Sequence, residues 1–461
     1  MKTSILLLAL VLLLVTPAQA QQAPPSGDVL VQGATVLTVT NGTLGNTDVL
    51  IRNGKIAEIG QGLNAPSGTV TIDAAGMYVM PGIIDAHSHI GISNVNESTA
   101  PVTAQVSVGD VLNPYSLSIY RALAGGVTTS HVMHGSANVI GGQNETLKHR
   151  WGIIDPEGLR MQGAPRTIKF ALGENPTRVH GRGSNMRPAS RMGVEYVLRE
   201  TFSKAQRYQE AWDRYEAEAR TNPRAISPPY NGQLEVMTDI LNGDIIINCH
   251  SYRADEILML MDVLEDFGID RVTFQHVNEG FKIAPELAAF GANGAAASVF
   301  ADWWAYKFEV YYSTAYNAAI LTRNGVVASI NSDSGELNRH LYHEAAKSQK
   351  YGDLTDDEAL ALITINPAKQ LGIEDRVGSI EVGKDGDLAI FNAHPLSIYA
   401  IPQKTIVDGI VYFDIDKDPD DMRLAADPEA AIETVTLWQQ HDHHQCLQQG
   451  SLDLYDFLQD Q

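Results

Sequence analysis

Eight β-rich runs alternate with helical runs between residues 81 and 375, and this alternation is the feature that most restricts the fold. Strands that alternate with helices form a parallel sheet with helices outside it, and a segment of this length suits an eightfold barrel. The 461 residues exceed one small domain but have room for a barrel with an added module. The predicted strands are GIIDAHSHI, GVTTSHVM, SANVIGG, RTIKFALG, DIIINCHS, RVTFQHV, GAAASVF and GVVASINSDS.

Two strand-rich pieces, residues 28–80 and 376–415, flank the predicted barrel. The first contains two alternating runs separated by Asn53-Gly54, a dipeptide typical of hairpin turns. The second contains GSIEVGKDGDLAIFNA and TIVDGIVYFDI. We therefore predict an α/β protein, in which a (β/α)8 TIM barrel over residues 81–375 carries a small β-sandwich built from both flanking pieces.

Residues 1–20 have the pattern of a secretory signal peptide. One lysine precedes an apolar run from Ile5 to Val15, and Ala18-Gln19-Ala20 is typical of a cleavage site. The apolar run is short for a membrane span, which needs about 20 residues. The sequence thus predicts a periplasmic or secreted protein that is not inserted in a membrane.

The charge balance restricts the partners. The chain has 33 Lys and Arg against 55 Asp and Glu, a net charge of −22, which argues against nucleic acid or an anionic membrane as partner. We expect a small-molecule substrate, and an oligomer is possible. Cys249 and Cys446 are too few for a disulfide scaffold, and the sequence leaves open whether they pair. Residues 416–461 form an acidic tail whose histidines are expected on a solvated helix: His441, His443 and His444.

Polar side chains that could bind metal ions stand near the C-terminal ends of the predicted strands. Asp85, His87 and His89 share one face of the first strand, because residues i and i+2 point the same way. A lysine within an apolar strand is rare unless it has a partner. Active sites of such barrels are built from the C-terminal ends of several strands. Six side chains are therefore expected to converge there: His87, His89, Lys169, His250, His276 and Asp333.

With these motifs the chain resembles the metal-dependent amidohydrolase superfamily, from about residue 28 to about residue 415. The motifs are PGIIDAHSHI, GGVTTSHVMHGS and INPAKQLGIEDRVGSIEVGKDGDLAIF. Within the superfamily the chain is most similar to the imidazolonepropionase and prolidase-related branch. The resemblance implies hydrolysis of a C–N bond in an amide, peptide or cyclic amide by a metal-activated hydroxide.

The resemblance also implies two divalent metal ions, zinc by default, and a role for each of the six side chains. His87 and His89 would bind the more buried ion. Lys169, carboxylated, would bridge the two ions. Asp333 would bind the buried ion and act as a general base and then as a general acid. The remaining ligands, of the more exposed ion, would be His250 and His276.

Two alternatives for the bridging ligand stay open at the level of sequence. Glu174, in ALGENP, could supply a carboxylate in place of Lys169, although its position past a glycine indicates a loop. Lys148, in NETLKHRWG, could be the bridge, although its polar neighbours indicate a solvent-facing strand or loop. The alternative functions are deamination at a mononuclear metal site and non-catalytic binding in the periplasm on a hydrolase scaffold.

Tyr252 and Arg253 follow the ligand His250 and are the predicted substrate contacts. The Arg253 guanidinium could hold a substrate carboxylate with two hydrogen bonds, or it could pair with Asp255 at the start of a helix.

Four further side chains are expected near the rim of the barrel. Trp303 and Trp304 could form the wall of a ligand pocket, but a buried contact between helix and sheet is the favoured interpretation. His131 and His134 are expected to contact substrate or to pack.

Overall fold

The computed structural model describes residues 25–182, 186–292, 294–304, 307–418 and 421–424. Within these residues the strands form two sheets of eight. The strands are β1 (Val29–Leu37), β2 (Thr43–Arg52), β3 (Lys55–Gly60), β4 (Val70–Asp73), β5 (Tyr78–Pro81), β6 (Ile83–Ser88), β7 (Val127–Val132), β8 (Ile140–Lys148), β9 (Arg166–Ala171), β10 (Ile245–Ser251), β11 (Val272–His276), β12 (Ala296–Val299), β13 (Ala328–Ile330), β14 (Leu388–Phe391), β15 (Pro402–Val407) and β16 (Ile410–Asp414).

Strands β6 to β13 are hydrogen-bonded in chain order and form the barrel, so the predicted fold class is confirmed. Seven of the eight predicted barrel strands are present where the sequence predicts them, whereas the third, predicted at residues 136–142, overlaps β8 only at residues 140–142. Helices pack outside the sheet, as its alternation with helical runs predicts. The helices of the described residues are α1 (Leu117–Ala124), α2 (Glu174–Thr177), α3 (Arg191–Ala219), α4 (Gly232–Leu241), α5 (Ala254–Asp266), α6 (Ala284–Ala289), α7 (Asn317–Arg323), α8 (Leu341–Gly352), α9 (Asp356–Ala361) and α10 (Ile365–Leu371).

The third barrel strand departs from the parallel arrangement that the sequence predicts. Strand β8 runs antiparallel to both of its neighbours, β7 and β9. The reason is the short connection over residues 133–139, because parallel neighbours need a crossover of about a dozen residues or more. This connection reverses the chain between β7 and β8. From β9 to β13, each strand is parallel to the next.

The two flanking pieces join in the second sheet. Its strand order is β16-β15-β14-β5-β1-β2-β3, with β4 paired to β1. Strand β14 pairs antiparallel with β5 and so connects the C-terminal piece to the N-terminal one. The hairpin between β2 and β3 turns at Asn53-Gly54, where both residues have positive φ, as such a turn requires. The sheet has its own apolar core, in which Val31, Ile51 and Ile390 are fully buried.

Helix α3 shows how the outer layer is attached to the barrel. Its first turn is capped by Ser190, whose hydroxyl accepts a hydrogen bond from the Gly193 amide. Val194, Leu198 and Phe202 follow at intervals of four residues and form a buried stripe along one face. The Phe202 ring packs against Phe170 of β9 and Phe267 after α5, which fixes the helix over those two elements.

Some of the predicted segments lie outside the described residues, namely the signal peptide at residues 1–20 and most of the acidic tail with His441, His443 and His444. Cys249 is buried on β10. The other cysteine, Cys446, lies outside the described residues. Among the helices of the described residues, none is both long and apolar enough to cross a bilayer.

The prediction that Lys148 faces solvent is wrong. Its side chain is fully buried, and Nζ lies 2.6 Å from Asp385, 3.1 Å from Asp387 and 2.5 Å from Asp408. These carboxylates belong to the second sheet and its turns. The residues next to Lys148 in NETLKHR therefore could not predict its ion pairs. Burial by itself would lower the pKa of Lys148, but the three carboxylates together raise the pKa above its ordinary value. Lys148 therefore connects the barrel to the second sheet.

We expect Lys148→Met to lower the free energy of unfolding by about 3–5 kcal/mol, because it leaves buried carboxylates facing each other without their cation. Chemical denaturation followed by circular dichroism would measure the change. The matched control is Lys204→Met, which removes an exposed lysine 3.1 Å from Glu200 and should cost less than about 1 kcal/mol. An equally small loss for both variants would contradict a structural role for Lys148.

Candidate metal centre

The six predicted ligand side chains lie together at the C-terminal ends of the barrel strands. His87 is on β6, Lys169 on β9, His250 on β10 and His276 at the end of β11. His89 follows β6 by one residue, and Asp333 follows β13. All are buried or nearly so: the side chains of His89 and Asp333 are 11% and 12% exposed, and the other four are covered.

Asp333 stands at the centre of three histidines. Its Oδ1 lies 3.0 Å from His89 Nε2 and 3.4 Å from His87 Nε2, and its Oδ2 lies 4.0 Å from His276 Nε2. One ligand atom each of His87, His276 and Asp333 lies within 4.8 Å of the others. Burial would raise the pKa of Asp333, but the hydrogen bond with His89 and the nearby positive charges outweigh burial and lower the pKa to about 2. Asp333 is therefore a carboxylate at neutral pH.

Lys169 and His250 complete the cluster. Lys169 Nζ lies 2.9 Å from His87 Nε2 and 3.6 Å from the Met133 sulfur. His250 Nδ1 lies 2.9 Å from His276 Nε2 and 3.0 Å from the hydroxyl of Ser136. A ring nitrogen of His87 thus faces the Lys169 amine, and ring nitrogens of His250 and His276 face each other. Several potential ligand atoms therefore point into the centre of the cluster.

The hydrogen bond made by His89 shows why this arrangement fits a cation. Its Nδ1 lies 2.8 Å from the carbonyl oxygen of Met133, which can only accept, so this nitrogen carries the proton. The other ring nitrogen, Nε2, lies 3.0 Å from the Asp333 carboxylate, so a cation bound there would be shared by the imidazole and the carboxylate in place of a proton. The backbone hydrogen bond orients the ring as histidine ligands of metals are commonly oriented.

The remaining histidines have the protonation state that a metal requires. Burial lowers the pKa of His87 and His250 well below the ordinary range and lowers that of His276 to about 3. Neutral imidazoles and an ionised carboxylate are suitable ligands for zinc and similar divalent ions. The residues present therefore fit a divalent metal site.

The backbone is strained at two of the ligands. His276 has a φ of 73° and Asp333 a φ of 46°, in the left-handed region that side chains with a Cβ seldom adopt. The Asp333 amide donates to the carbonyl oxygen of His87 over 3.0 Å, which holds the end of β13 against β6. Such strain persists where the surroundings fix it and is concentrated at functional sites.

Two residues that support the site, Asp85 and Ser136, had no predicted role. Asp85 is buried and accepts hydrogen bonds from the Ser332 amide (3.1 Å) and hydroxyl (2.5 Å) and from the His87 amide (3.3 Å). Burial raises the pKa of Asp85 to about 7, although these hydrogen bonds oppose the increase. Asp85 thus connects the strand that carries His87 to the segment that carries Asp333. The position of Asp85, two residues before His87, already placed both side chains on one face of the strand. Nothing in the sequence indicated that Ser136 would contact His250.

Tyr252 lies against two of the ligands. Its ring stacks on that of His276 at 5.0 Å and meets that of His250 edge-on at 4.7 Å. The ammonium of Lys307 lies 4.0 Å from the centroid of the Tyr252 ring. The same ammonium forms ion pairs with Glu309 at 3.4 Å and Glu174 at 3.7 Å. Glu174 begins the short helix α2 and belongs to this neighbouring ionic cluster, not to the cluster of six side chains that contains Asp333.

Arg253 is paired within the protein. Its guanidinium donates two hydrogen bonds to Asp255, of 2.9 and 2.8 Å, so the structure shows the ion pair that the sequence left as one alternative. The Arg253 side chain is 41% exposed and that of Asp255 is 61% exposed.

We expect Arg253→Met to change turnover of carboxylate-bearing and neutral substrates by the same small factor and to cost less than about 1 kcal/mol of stability, because an exposed ion pair contributes little. Steady-state kinetics on a matched pair of charged and neutral amides would measure this. A loss confined to the carboxylate-bearing substrate would instead support the predicted substrate contact.

The structure also places the other rim residues. His131 lies in the barrel interior between Thr146 and Thr167, and the ring of His134 accepts a hydrogen bond from the Glu97 amide, so both have structural partners. The favoured interpretation of the tryptophans as a buried contact between helix and sheet is wrong for Trp304, which is 51% exposed. Local composition could not show this, because the segment after β12 runs along the barrel rim, where the indole meets solvent.

Comparison with known proteins shows the family. The model of the amidohydrolase family matches residues 311–417. The crystal structure of an amidohydrolase from Thermotoga maritima is 33% identical in sequence, with a TM-score of 0.77 over 84% of this chain and 100% of that chain. The chain belongs to the amidohydrolase family. The resemblance predicted from the motifs is thereby confirmed at the level of the superfamily.

Two further amidohydrolase relatives differ in how much of their length they share with this chain. Amidohydrolase tasK of Hapsidospora irregularis is 32% identical over 393 residues, which are 80% of this chain. This chain spans 40% of the length of tasK. The imidazolonepropionase of Thermoplasma volcanium is 23% identical over 377 residues, 75% of this chain and 84% of that protein. The narrower placement in the imidazolonepropionase and prolidase-related branch stays a prediction.

Proposed function

We propose that this protein hydrolyses a C–N bond in an amide, peptide or cyclic amide with the help of two divalent metal ions, with zinc as the default. The observation that supports the proposal most is the convergence of four histidines, one lysine and one aspartate at the C-terminal ends of the barrel strands. Membership of the amidohydrolase family supports it independently.

Each of the six side chains has a proposed part in holding the ions. His87 and His89 would bind the more buried ion together with Asp333, and His250 and His276 the more exposed one. Lys169, carboxylated on Nζ, would bridge the two ions with the two oxygens of the carbamate. When bound, divalent ions in such a site supply Lewis acidity, which polarises a carbonyl group and lowers the pKa of water.

Asp333 is the proposed proton carrier. Its low pKa keeps it ionised at neutral pH, so it can accept a proton from the attacking water. It can then return that proton to the nitrogen that leaves when the C–N bond breaks. The buried rings of Tyr252 and Phe300 stack on the His276 ring, at 5.0 and 4.9 Å, and thereby exclude solvent from this part of the cluster.

The test is a hydrolysis screen over dipeptides, N-acyl amino acids and cyclic imides, with metal analysis of the same sample. Turnover with about two ions per chain supports the proposal. Turnover of an amino-substituted heterocycle with about one ion per chain would favour the mononuclear deaminase. Binding without turnover by the protein loaded with two ions would favour a non-catalytic binding protein.

We also propose that the protein is exported to the periplasm or beyond. The support is the pattern of residues 1–20, in which a lysine, an apolar run and Ala18-Gln19-Ala20 occur in the order of a cleavable signal peptide. A small molecule is the proposed partner.

A further inference from the structure

An open pocket of about 480 Å³ has Ser334, the residue after Asp333, in its wall. Asp302, Trp303 and Trp304, which follow β12, line the pocket together with five residues that follow β13: Ser334, Glu336, Leu337, Arg339 and His340. Both segments leave the C-terminal ends of barrel strands, and the second one starts directly after Asp333. The volume is within the range of sites that bind small molecules.

A stack of rings connects the cluster to the pocket. The ring of Phe300 lies 4.9 Å from that of His276, with an angle of 21° between the planes. The Trp303 ring lies 4.3 Å from that of Phe300, at 9°. Trp303 lines the pocket and Phe300 is buried, so a buried stack of rings joins a predicted metal ligand to the pocket wall. Trp304, the next residue, offers a further indole that is 51% exposed.

The charged side chains of the pocket are engaged in ion pairs. Asp302 lies 3.0 Å from Lys347. Glu336 lies 2.8 Å from Arg121 and 3.1 Å from Arg339. Because these charges are compensated within the protein, recognition in the pocket falls mainly to the two indoles and Leu337.

We propose that this pocket binds an aromatic or other flat apolar group of the substrate, with Trp304 as its stacking surface. The proposal rests on the proposed function, because it treats the pocket as part of the site for a C–N substrate. It adds a substrate class: amides with a large flat apolar group next to the scissile bond, in preference to amides with a methyl group in that place. Stacked aromatic pairs add to the contribution of buried apolar area, which accounts for the preference.

A pair of hydroxamates tests this without turnover. Acetohydroxamate and phenylacetohydroxamate carry the same metal-binding group and differ by a phenyl ring. With the full-length, metal-loaded protein, calorimetry should show phenylacetohydroxamate binding about tenfold more tightly, the effect expected of a stacked ring. Trp304→Ala should reduce this ratio to about twofold, and Trp304→Phe should keep most of it.

Trp304 is chosen because it is half exposed, whereas Trp303 packs on Phe300 and its removal would disturb the cluster itself. The matched control is Tyr399→Ala, which removes an aromatic ring that is 76% exposed in the loop between β14 and β15 and should leave the ratio unchanged. Equal affinity of the two hydroxamates, or a ratio that survives in Trp304→Ala, would overturn the proposal. A failure of the proposed function would appear elsewhere, as absence of turnover in the hydrolysis screen.

Discussion

Asp333→Asn should remove almost all turnover while the protein stays folded. The amide keeps the shape of the carboxylate, but it cannot take up the proton that Asp333 is proposed to carry. General acid–base catalysis typically contributes about 10²–10⁴-fold in rate. The amide is also a weaker metal ligand, and it faces His89 and His87 at 3.0 and 3.4 Å, where the carboxylate now stands. We therefore expect a loss at or beyond the upper end of that range.

Steady-state turnover together with thermal unfolding measured by circular dichroism would check this expectation. Asp356→Asn is the matched control, since that carboxylate is 59% exposed and lies near His394 on the outside of the barrel. The control should keep wild-type turnover. Asp333→Asn protein with more than a tenth of wild-type turnover would show that another group carries the proton.

Lys169→Ala should reduce the metal content from about two ions per chain toward one or none and remove activity. An ammonium group is a poor ligand, whereas a neutral amine can attack CO₂: the new N–C bond forms, one proton is released, and a carbamate with two oxygens results. The fully buried Lys169 is well placed for this, because its Nζ lies 2.9 Å from His87 Nε2 at the centre of the cluster. Loss of the bridge removes one ligand from each ion.

Metal analysis and intact-mass measurement under non-acidic conditions would test this, because acid releases CO₂ from a carbamate. Glu174→Ala and Lys148→Met are the informative controls, since those residues are the alternative bridges at the level of sequence. Both should keep two ions per chain. Added short carboxylates should restore part of the activity of Lys169→Ala by occupying the place of the carbamate. If Lys169→Ala retains both ions while one of the controls loses them, the bridge is assigned to the wrong residue.

The sequence was most informative where one local pattern sets both structure and chemistry. His87 and His250 each end an apolar run, and the rule that barrel sites lie at the C-terminal ends of strands is enough to bring such residues together. The direction of β8 was not predicted, because it depends on the seven-residue connection 133–139 and not on the composition of the strand.

Contacts between distant parts of the chain account for the other differences. The environment of Lys148 is made by Asp385, Asp387 and Asp408, more than 230 residues further along the chain. The contact of Ser136 with His250 joins two segments that only the closed barrel brings together. Neither contact follows from hydrophobic periodicity or from the composition of either segment.

The most direct test of the two-metal centre is a crystal structure of the full-length protein loaded with zinc, with anomalous data collected at the zinc edge. We predict two anomalous peaks in the cluster, with ligand nitrogen and oxygen atoms at about 2.0–2.2 Å, and density for a carbamate on Lys169 between them. One peak should contact His87, His89 and Asp333, and the other His250 and His276. A single peak with a plain lysine at position 169, or zinc bound only elsewhere on the chain, would contradict the two-metal centre.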